Sequence, residues 1–256
     1  ITRVWMHHGF WPFLTTKLYI DQTGDIEILG EKVPYFKDRQ IQRGQAADSE
    51  WNEAYGMQQR THGGALYTGS ILEHILLQQL CAFYEVGEHN EIRLRNADWN
   101  DALDMAPDKG ESVAFTSAYA YNLRELAVYL EKYEAVTKKN QVELVEEIAV
   151  LLAGDAHKYD EIEWKRSILS QYMNTCTHNV SGKTVLVSIA ELAQNLRDRA
   201  AWMMDHIRRT EWVTDEKGNG WFNGYYDNNG RQVEGVQGDN VRMMLTSQVF
   251  SIMSGT

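Results

Sequence analysis

The sequence predicts an all-α fold, an α-helical barrel or toroid with its functional residues on one rim. Apolar residues recur at helical spacing along most of the chain, strand signals are sparse, and only three prolines interrupt 256 residues. The helical stretches are similar in length and their connections uneven. No 34- or 40-residue self-similarity marks a solenoid. The length suits one sizeable domain.

Taken in order, Phe10 to Ile20 reads as a helix stopped near Gly24, and Asp25 to Phe36 as a connection containing Pro34. Residues 37–63 are polar and rich in Gln, Arg and Gly, so a long loop is expected. Gly63-Gly64 then opens a helix running from Ala65 to Val86 through Leu66, Ile71, Ile75, Leu80 and Phe83, with Gly87 as its closing glycine. A second long helix, Ser112 to Tyr133, keeps Val113, Tyr121, Leu123, Leu126 and Leu130 on one face. Asn140 is expected to cap a helix of Val142, Val145, Ile148, Val150 and Leu152, with Glu143, Glu146 and Glu147 on its solvated face. A short helix is expected around Trp164 to Tyr172. Ser188 to Arg209 carries the cleanest stripe: Ile189, Leu192, Ala193, Leu196, Ala200, Met203 and Ile207. The pattern breaks at residues 220–236, where Trp221 to Tyr226 followed by Asp227-Asn228-Asn229-Gly230 predicts a short β-hairpin. A last helix is expected from Val241 to Met253.

Between the two long central helices lies Arg93-Leu94-Arg95-Asn96-Ala97-Asp98-Trp99-Asn100-Asp101-Ala102-Leu103-Asp104. Loops between helices are where helical scaffolds place chemistry. The stretch has two readings on residue types alone. In one, Asp98 or Asn100 caps a helix and Trp99 plugs the core. In the other, Trp99 is a stacking platform for a pyranose ring and one acid is held protonated to attack a glycosidic oxygen.

Composition narrows the partners. A net charge of −11 argues against nucleic acid, a polyanion. Eight Trp and thirteen Tyr are compatible with a carbohydrate cleft. Two cysteines, Cys81 and Cys176, give no disulfide framework or zinc site and fit a reducing, cytoplasmic setting. No apolar run approaches the ~20 residues needed to cross a membrane. The histidines lack a partner at i+4, so no metal site is expected; His74 reads as a buried, hydrogen-bonded helix residue.

Further segments stand in a fixed order around this stretch. They are Thr23-Gly24-Asp25, Glu31-Lys32-Val33-Pro34-Tyr35, Leu72-Glu73-His74 and Gly87-Glu88-His89 before it. Gly110-Glu111-Ser112-Val113, Gly220-Trp221-Phe222 through Tyr226-Asp227, and Arg242 with Gln248 through Ser254-Gly255 follow it. The ordered set resembles the phosphorylases of glycoside hydrolase family 94, which include cellobiose, chitobiose and 1,2-β-oligoglucan phosphorylases. The resemblance implies that residues 1–256 are part of one (α/α)6 catalytic barrel, with an N-terminal β-sandwich domain and the first barrel helices absent. It implies Asp101 as the general acid and Trp99 as a lining of the sugar site, with Asp98, Asn100 and Arg95 as further substrate-binding candidates. Gln248 and Arg242 match the region that supplies phosphate donors.

The implied reaction needs no cofactor. Inorganic phosphate is itself the nucleophile, so one protonated carboxylic acid suffices, whereas inverting hydrolysis needs a second carboxylate to activate water. The expected partners are an oligosaccharide, phosphate, the rest of the same polypeptide and, as an option, a second copy in a homodimer. Gly220 and Gly224 stand where cellobiose-type members carry Glu and Arg. A long insert precedes Trp221. The glycines count against the acceptor contacts of cellobiose, and the insert with Asn223-Gly224-Tyr225-Tyr226-Asp227 resembles the 1,2-β-oligoglucan subgroup, with cellobiose second. Two rival readings are an inverting hydrolase using Asp98, Asp101 or Glu111, and a non-catalytic carbohydrate-binding module.

Overall fold

The computed structural model describes residues 6–95 and 106–256. Seven α-helices lie among them: α1 (Phe10–Thr23), α2 (Ile71–Tyr84), α3 (Val113–Thr137), α4 (Ala149–Leu152), α5 (Ile162–Thr175), α6 (Ile189–Thr210) and α7 (Leu245–Ser254). The first eight strands are β1 (Lys32–Pro34), β2 (Gln40–Ile41), β3 (Ala46–Ala47), β4 (Thr68–Ser70), β5 (Ile92–Arg93), β6 (Glu111–Ser112), β7 (Gln141–Val145) and β8 (Thr184–Ser188). The remaining five are β9 (Trp212–Thr214), β10 (Gly220–Phe222), β11 (Tyr225–Tyr226), β12 (Gly235–Gln237) and β13 (Asn240–Arg242).

About half of the described residues are helical, and the strands pair into small antiparallel sheets: β1-β4, β2-β3, β7-β8, β9-β10, β12-β13 and the three-stranded β11-β6-β5. The fold is therefore mixed α/β, and the expectation of an all-α chain is overturned. Most of these strands hold only two or three residues, too few to write an alternating pattern into the sequence.

The helices come from two kinds of signal. α1 ends as expected, with Gly24 in the left-handed conformation (φ 76°) and its N–H on the Ile20 carbonyl. α3 and α6 start at serines whose hydroxyls accept the Phe115 and Glu191 amides, Ser112 and Ser188. All seven apolar stripe positions of α6 are buried. α5 falls where a short helix was expected.

The last helix, expected from Val241, starts only at Leu245, because Asn240–Arg242 form β13. Two further helix expectations fail. The stretch from Ala65 becomes β4 before α2 begins at Ile71, capped by Ser70, and α2 ends at Tyr84 with Glu85 as its C-cap, so Gly87 does not close it. Gly64, at φ 81°, instead turns a loop. The helix expected from Val142 is strand β7, registered Val142↔Val187 and Leu144↔Val185 against β8, followed by a 3-10 turn and the four-residue α4. Gln141 and Glu143 face solvent while Val142 and Leu144 are buried, so the period there is two. Glu147 is not on a solvated helix face; it is buried and accepts the Ser181 amide at 2.6 Å.

α3 lies at the centre. It packs most extensively on α6 and also touches α1, α2 and α7. Leu123, Leu126, Leu130, Leu192 and Leu196 are buried in one cluster with Phe10, Phe13, Leu76 and Leu80. Two cations enter this interior. Arg199 donates to Tyr84 Oη at 2.7 Å and to the Leu151 carbonyl at 2.8 Å, and Lys165 donates to Asn90 Oδ1 at 2.9 Å with its ammonium 3.7 Å from the Trp202 ring centre. No helix among the described residues is long and apolar enough to cross a membrane.

Removing side-chain volume from this centre should be costly. Leu126→Ala, at a position fully shielded from solvent, is expected to lower stability by ~2–5 kcal/mol. Leu186→Ala, at a side chain 68% exposed on β8, should shift it by under about 0.5 kcal/mol. Urea denaturation of the two variants checks the difference.

Candidate functional site at the base of the 96–105 segment

Asp98, Trp99, Asn100 and Asp101 lie outside the described residues. What the structure does describe is how both ends of their segment are held. β5 precedes it and β6 follows it, paired antiparallel as Ile92↔Ser112 and Arg93↔Glu111. The Leu94 amide donates to the Gly110 carbonyl at 2.9 Å, and Arg93 Nη2 to the Asp108 carbonyl at 2.8 Å. Leu94 and Ala106 are buried, one at each end.

β11 closes the other side of β6, registered Tyr225↔Ser112 and Tyr226↔Glu111. The turn after β11 forms as the Asn229-Gly230 pair predicts, with the Gly230 amide on the Asp227 carbonyl at 3.0 Å and Gly230 at φ 71°. Within it, Asn228 Oδ1 accepts the Asp108 and Lys109 amides at 2.9 and 2.8 Å. The segments Gly87-Glu88-His89, Gly110 to Val113 and Tyr225 to Asp227, far apart in sequence, thus meet at the root of the Asp98–Asp101 stretch.

Arg95, the last described residue before the segment, sits at φ 56°, a conformation few side chains adopt. Its Nε lies 3.2 Å from Glu85 Oε1 and its Nη2 donates to the Arg43 carbonyl at 3.2 Å. Glu85 also receives Arg43 through Nε at 2.7 Å and Nη2 at 2.6 Å. Burial pulls the Arg95 guanidinium below its ordinary range, and Glu85 opposes that pull. For Arg43, burial is more than offset by Glu85, and its pKa is raised. Two arginines on one carboxylate leave this corner net positive.

The two residues matched to phosphate donors lie elsewhere. Gln248, on α7, donates to the Phe222 carbonyl at 2.8 Å and accepts the Phe222 amide at 3.2 Å, tying β10 to α7. Arg242 is exposed at the end of β13. Arg95 and Gln248 therefore share no partner.

Three buried glutamates, none of them named as a site residue beyond Glu111, surround the root. Glu111 accepts the His89 amide at 3.1 Å, the Glu91 amide at 3.1 Å and His89 Nδ1 at 2.8 Å. Glu211 accepts Tyr226 Oη at 2.9 and 3.0 Å and Asn223 Nδ2 at 2.9 Å. Glu91 has His206 Nε2 3.4 Å from its Oε1, but that nitrogen is engaged at 3.0 Å with the His89 carbonyl. Burial first, and then the Glu211 charge, hold the Glu91 carboxyl well above the usual range. Burial also raises Glu111, against the His89 N–H bonds that lower it, and lowers His206. No sequence motif marks Glu91 or Glu211, and nothing in the turn motif marks Asn228 as a partner of Asp108; the partners of the three are 12 to 120 residues away. His74 is a hydrogen-bonded helix residue as expected, with Nε2 3.2 Å from the Val33 carbonyl and its ring stacked on Tyr35 at 3.6 Å, but it is half-buried rather than buried. No group of metal-ligating side chains is assembled among the described residues.

No family model matches the chain. The chain is similar to solabiose phosphorylase from Paenibacillus borealis. The two are 29% identical over 119 residues, 46% of this chain. The matched stretch spans 12% of that protein's length.

Gly87 has a structural reason to lack a side chain. A Cβ there would lie 2.2 Å from the Glu111 carboxyl carbon. Gly87→Ala is expected to destabilise the fold by ~1–3 kcal/mol, read from its urea midpoint against the parent. For Glu91 the folded protein binds the proton more tightly than the unfolded chain does. The associated stability is complete below the ordinary value of 4.5 and is lost as pH rises through the folded-state value. Glu91→Gln should therefore lose less Tm than the parent between about pH 5 and about pH 9. Parallel Tm curves across that range would contradict a buried, protonated Glu91.

Proposed function

We propose that this chain is part of a glycoside phosphorylase that cleaves a β-linked gluco-oligosaccharide with inorganic phosphate and inverts the anomeric centre. The reading is carried by the convergence of the ordered segments on the root of the Asp98–Asp101 stretch. The partial similarity to solabiose phosphorylase supports it. In the reaction a phosphate oxygen attacks the anomeric carbon from the α face. The β-glycosidic C–O bond breaks, and Asp101 gives its proton to the departing sugar oxygen, releasing α-glucose 1-phosphate. Trp99 stacks on the sugar face, and Asp98, Asn100 and Arg95 are assigned to the same site. Phosphate is a substrate and no cofactor is assigned.

Among the residues matched to phosphate, Arg242 has the exposure to turn toward an anion. Gln248 acts through Phe222, whose backbone it brackets. A 1,2-β-oligoglucan is the favoured substrate and cellobiose the second. Gly220 and Gly224 leave no room for the Glu and Arg of cellobiose-type members: added Cβ atoms would lie 2.2 Å from the Trp212 ring and 2.3 Å from Glu234 Oε1. The hydrolase reading is weakened by Glu111, which is fully shielded from solvent and bonded to His89 and Glu91, so it cannot activate water. A reducing cytoplasmic setting goes with the free cysteines Cys81 and Cys176.

The test uses the full-length polypeptide, offered sophorose-type, cello- and laminari-oligosaccharides with and without phosphate. Sugar phosphate should form only when phosphate is present, and Asp101→Asn should lower kcat by at least ~10²-fold while the fold, followed by circular dichroism, is retained. Phosphate-independent release of free glucose would replace this reading with hydrolysis.

A further inference from the structure

We infer that Glu111 and His89 are positioning residues that lock both arms of the segment carrying Asp101; their effect on turnover rests on the function proposed above. The geometry is that of one carboxylate clamping two strands. Glu111 stands directly after Gly110 on the returning arm, and its backbone is in register with Arg93 on the outgoing arm. Its side chain reaches past that pairing to the turn that precedes β5. There it accepts the His89 amide on both oxygens, at 3.2 and 3.1 Å, and the Glu91 amide at 3.1 Å. His89 Nδ1 adds a bond at 2.8 Å.

The clamp is boxed in. Gly87 leaves the space that the carboxyl group fills. The His89 ring lies flat on Tyr226, with centroids 3.6 Å apart and planes 8° apart, and the Tyr226 hydroxyl donates to Glu211. Rotating the Glu111 carboxylate would break its bonds to two backbone amides inside a region closed to water, where each unmet donor costs ~1–3 kcal/mol. A neutral glutamine at position 111 would turn an N–H toward donors and reproduce only part of the set. Neither residue is assigned a contact with substrate. Their action is on how the two arms, β5 and β6, are held together, and misplacement of a catalytic geometry by about 1 Å is enough to cost turnover of order 10²-fold.

The experiment compares Glu111→Gln and His89→Phe with the parent in the full-length protein. His89→Phe keeps a ring against Tyr226, leaves the backbone amides and removes only the Nδ1 donor, so it serves where Glu111→Gln fails to fold. Turnover is scored per folded molecule. Glu111→Gln should lower kcat by ~10–100-fold and His89→Phe by ~3–10-fold, with KM for phosphate and oligosaccharide within about twofold of the parent. Hydrogen exchange gives a readout independent of activity. The amides of His89, Glu91 and Leu94 should exchange at least ~10-fold faster in the variants, while those of α6 keep the parent rate. Parent-like kcat in both variants overturns the inference, as does unchanged protection at these three amides. If the parent protein itself forms no sugar phosphate, the proposed function falls, and the exchange rates alone decide whether Glu111 and His89 lock the two arms.

Discussion

α3 carries buried side chains around most of its circumference from Val113 to Tyr133, and so its first turn has one place to be. What precedes that turn inherits the constraint. Ser112 caps the helix through Phe115, pairs with Ile92 on one side and Tyr225 on the other, and offers its carbonyl to Thr116 Oγ1. Thr116 Oγ1 in turn accepts the Ile92 amide at 3.0 Å. A strand of two residues would be marginal alone. Welded to the start of a buried helix, β6 becomes the fixed central strand that pairs with β5 on one side and β11 on the other.

How far this was legible depends on the length of each signal. α6 repeats its apolar stripe over six turns, and one period fits it. The stretch 141–152 was misread because Val142, Val145 and Ile148 also match helical spacing. The deciding partner, Val185 to Val187 on β8, lies some forty residues away. Pairing across such distances is decided by tertiary packing, which local pattern does not encode. The three-stranded sheet at the root was invisible for a second reason: no member exceeds two residues.

The site shows the same division. Its ordered segments were readable as segments, and the turn at Asn229-Gly230 as a turn. Their meeting was not. His89 and Glu111 each stood in a quoted segment, yet nothing in either paired them across 22 residues. Gly87 looked like a helix stop and is a clearance for a carboxylate. Gly220 and Gly224 looked like deletions of function. One gives way to the Trp212 ring, half exposed at 52%, and the other to Glu234 and Ser247. Small residues are ambiguous in sequence because their reason lies in the atom that occupies the space beside them.

The buried acids around the root differ in the donors that reach them. Glu211 holds a tyrosine hydroxyl and an asparagine amide; Glu111 holds two backbone amides and an imidazole N–H. In both, the buried oxygens are met by donors. Glu91 has no comparable set, and burial first, then the Glu211 charge, raise its carboxyl well above the usual range, against the opposing pull of Thr116 and Lys165. Lys165 is buried against Asn90 and the Trp202 ring, and that burial drives its pKa well down. At the root of the segment, burial comes first in raising both Glu91 and Glu111, and the donors that reach Glu111 work against that rise.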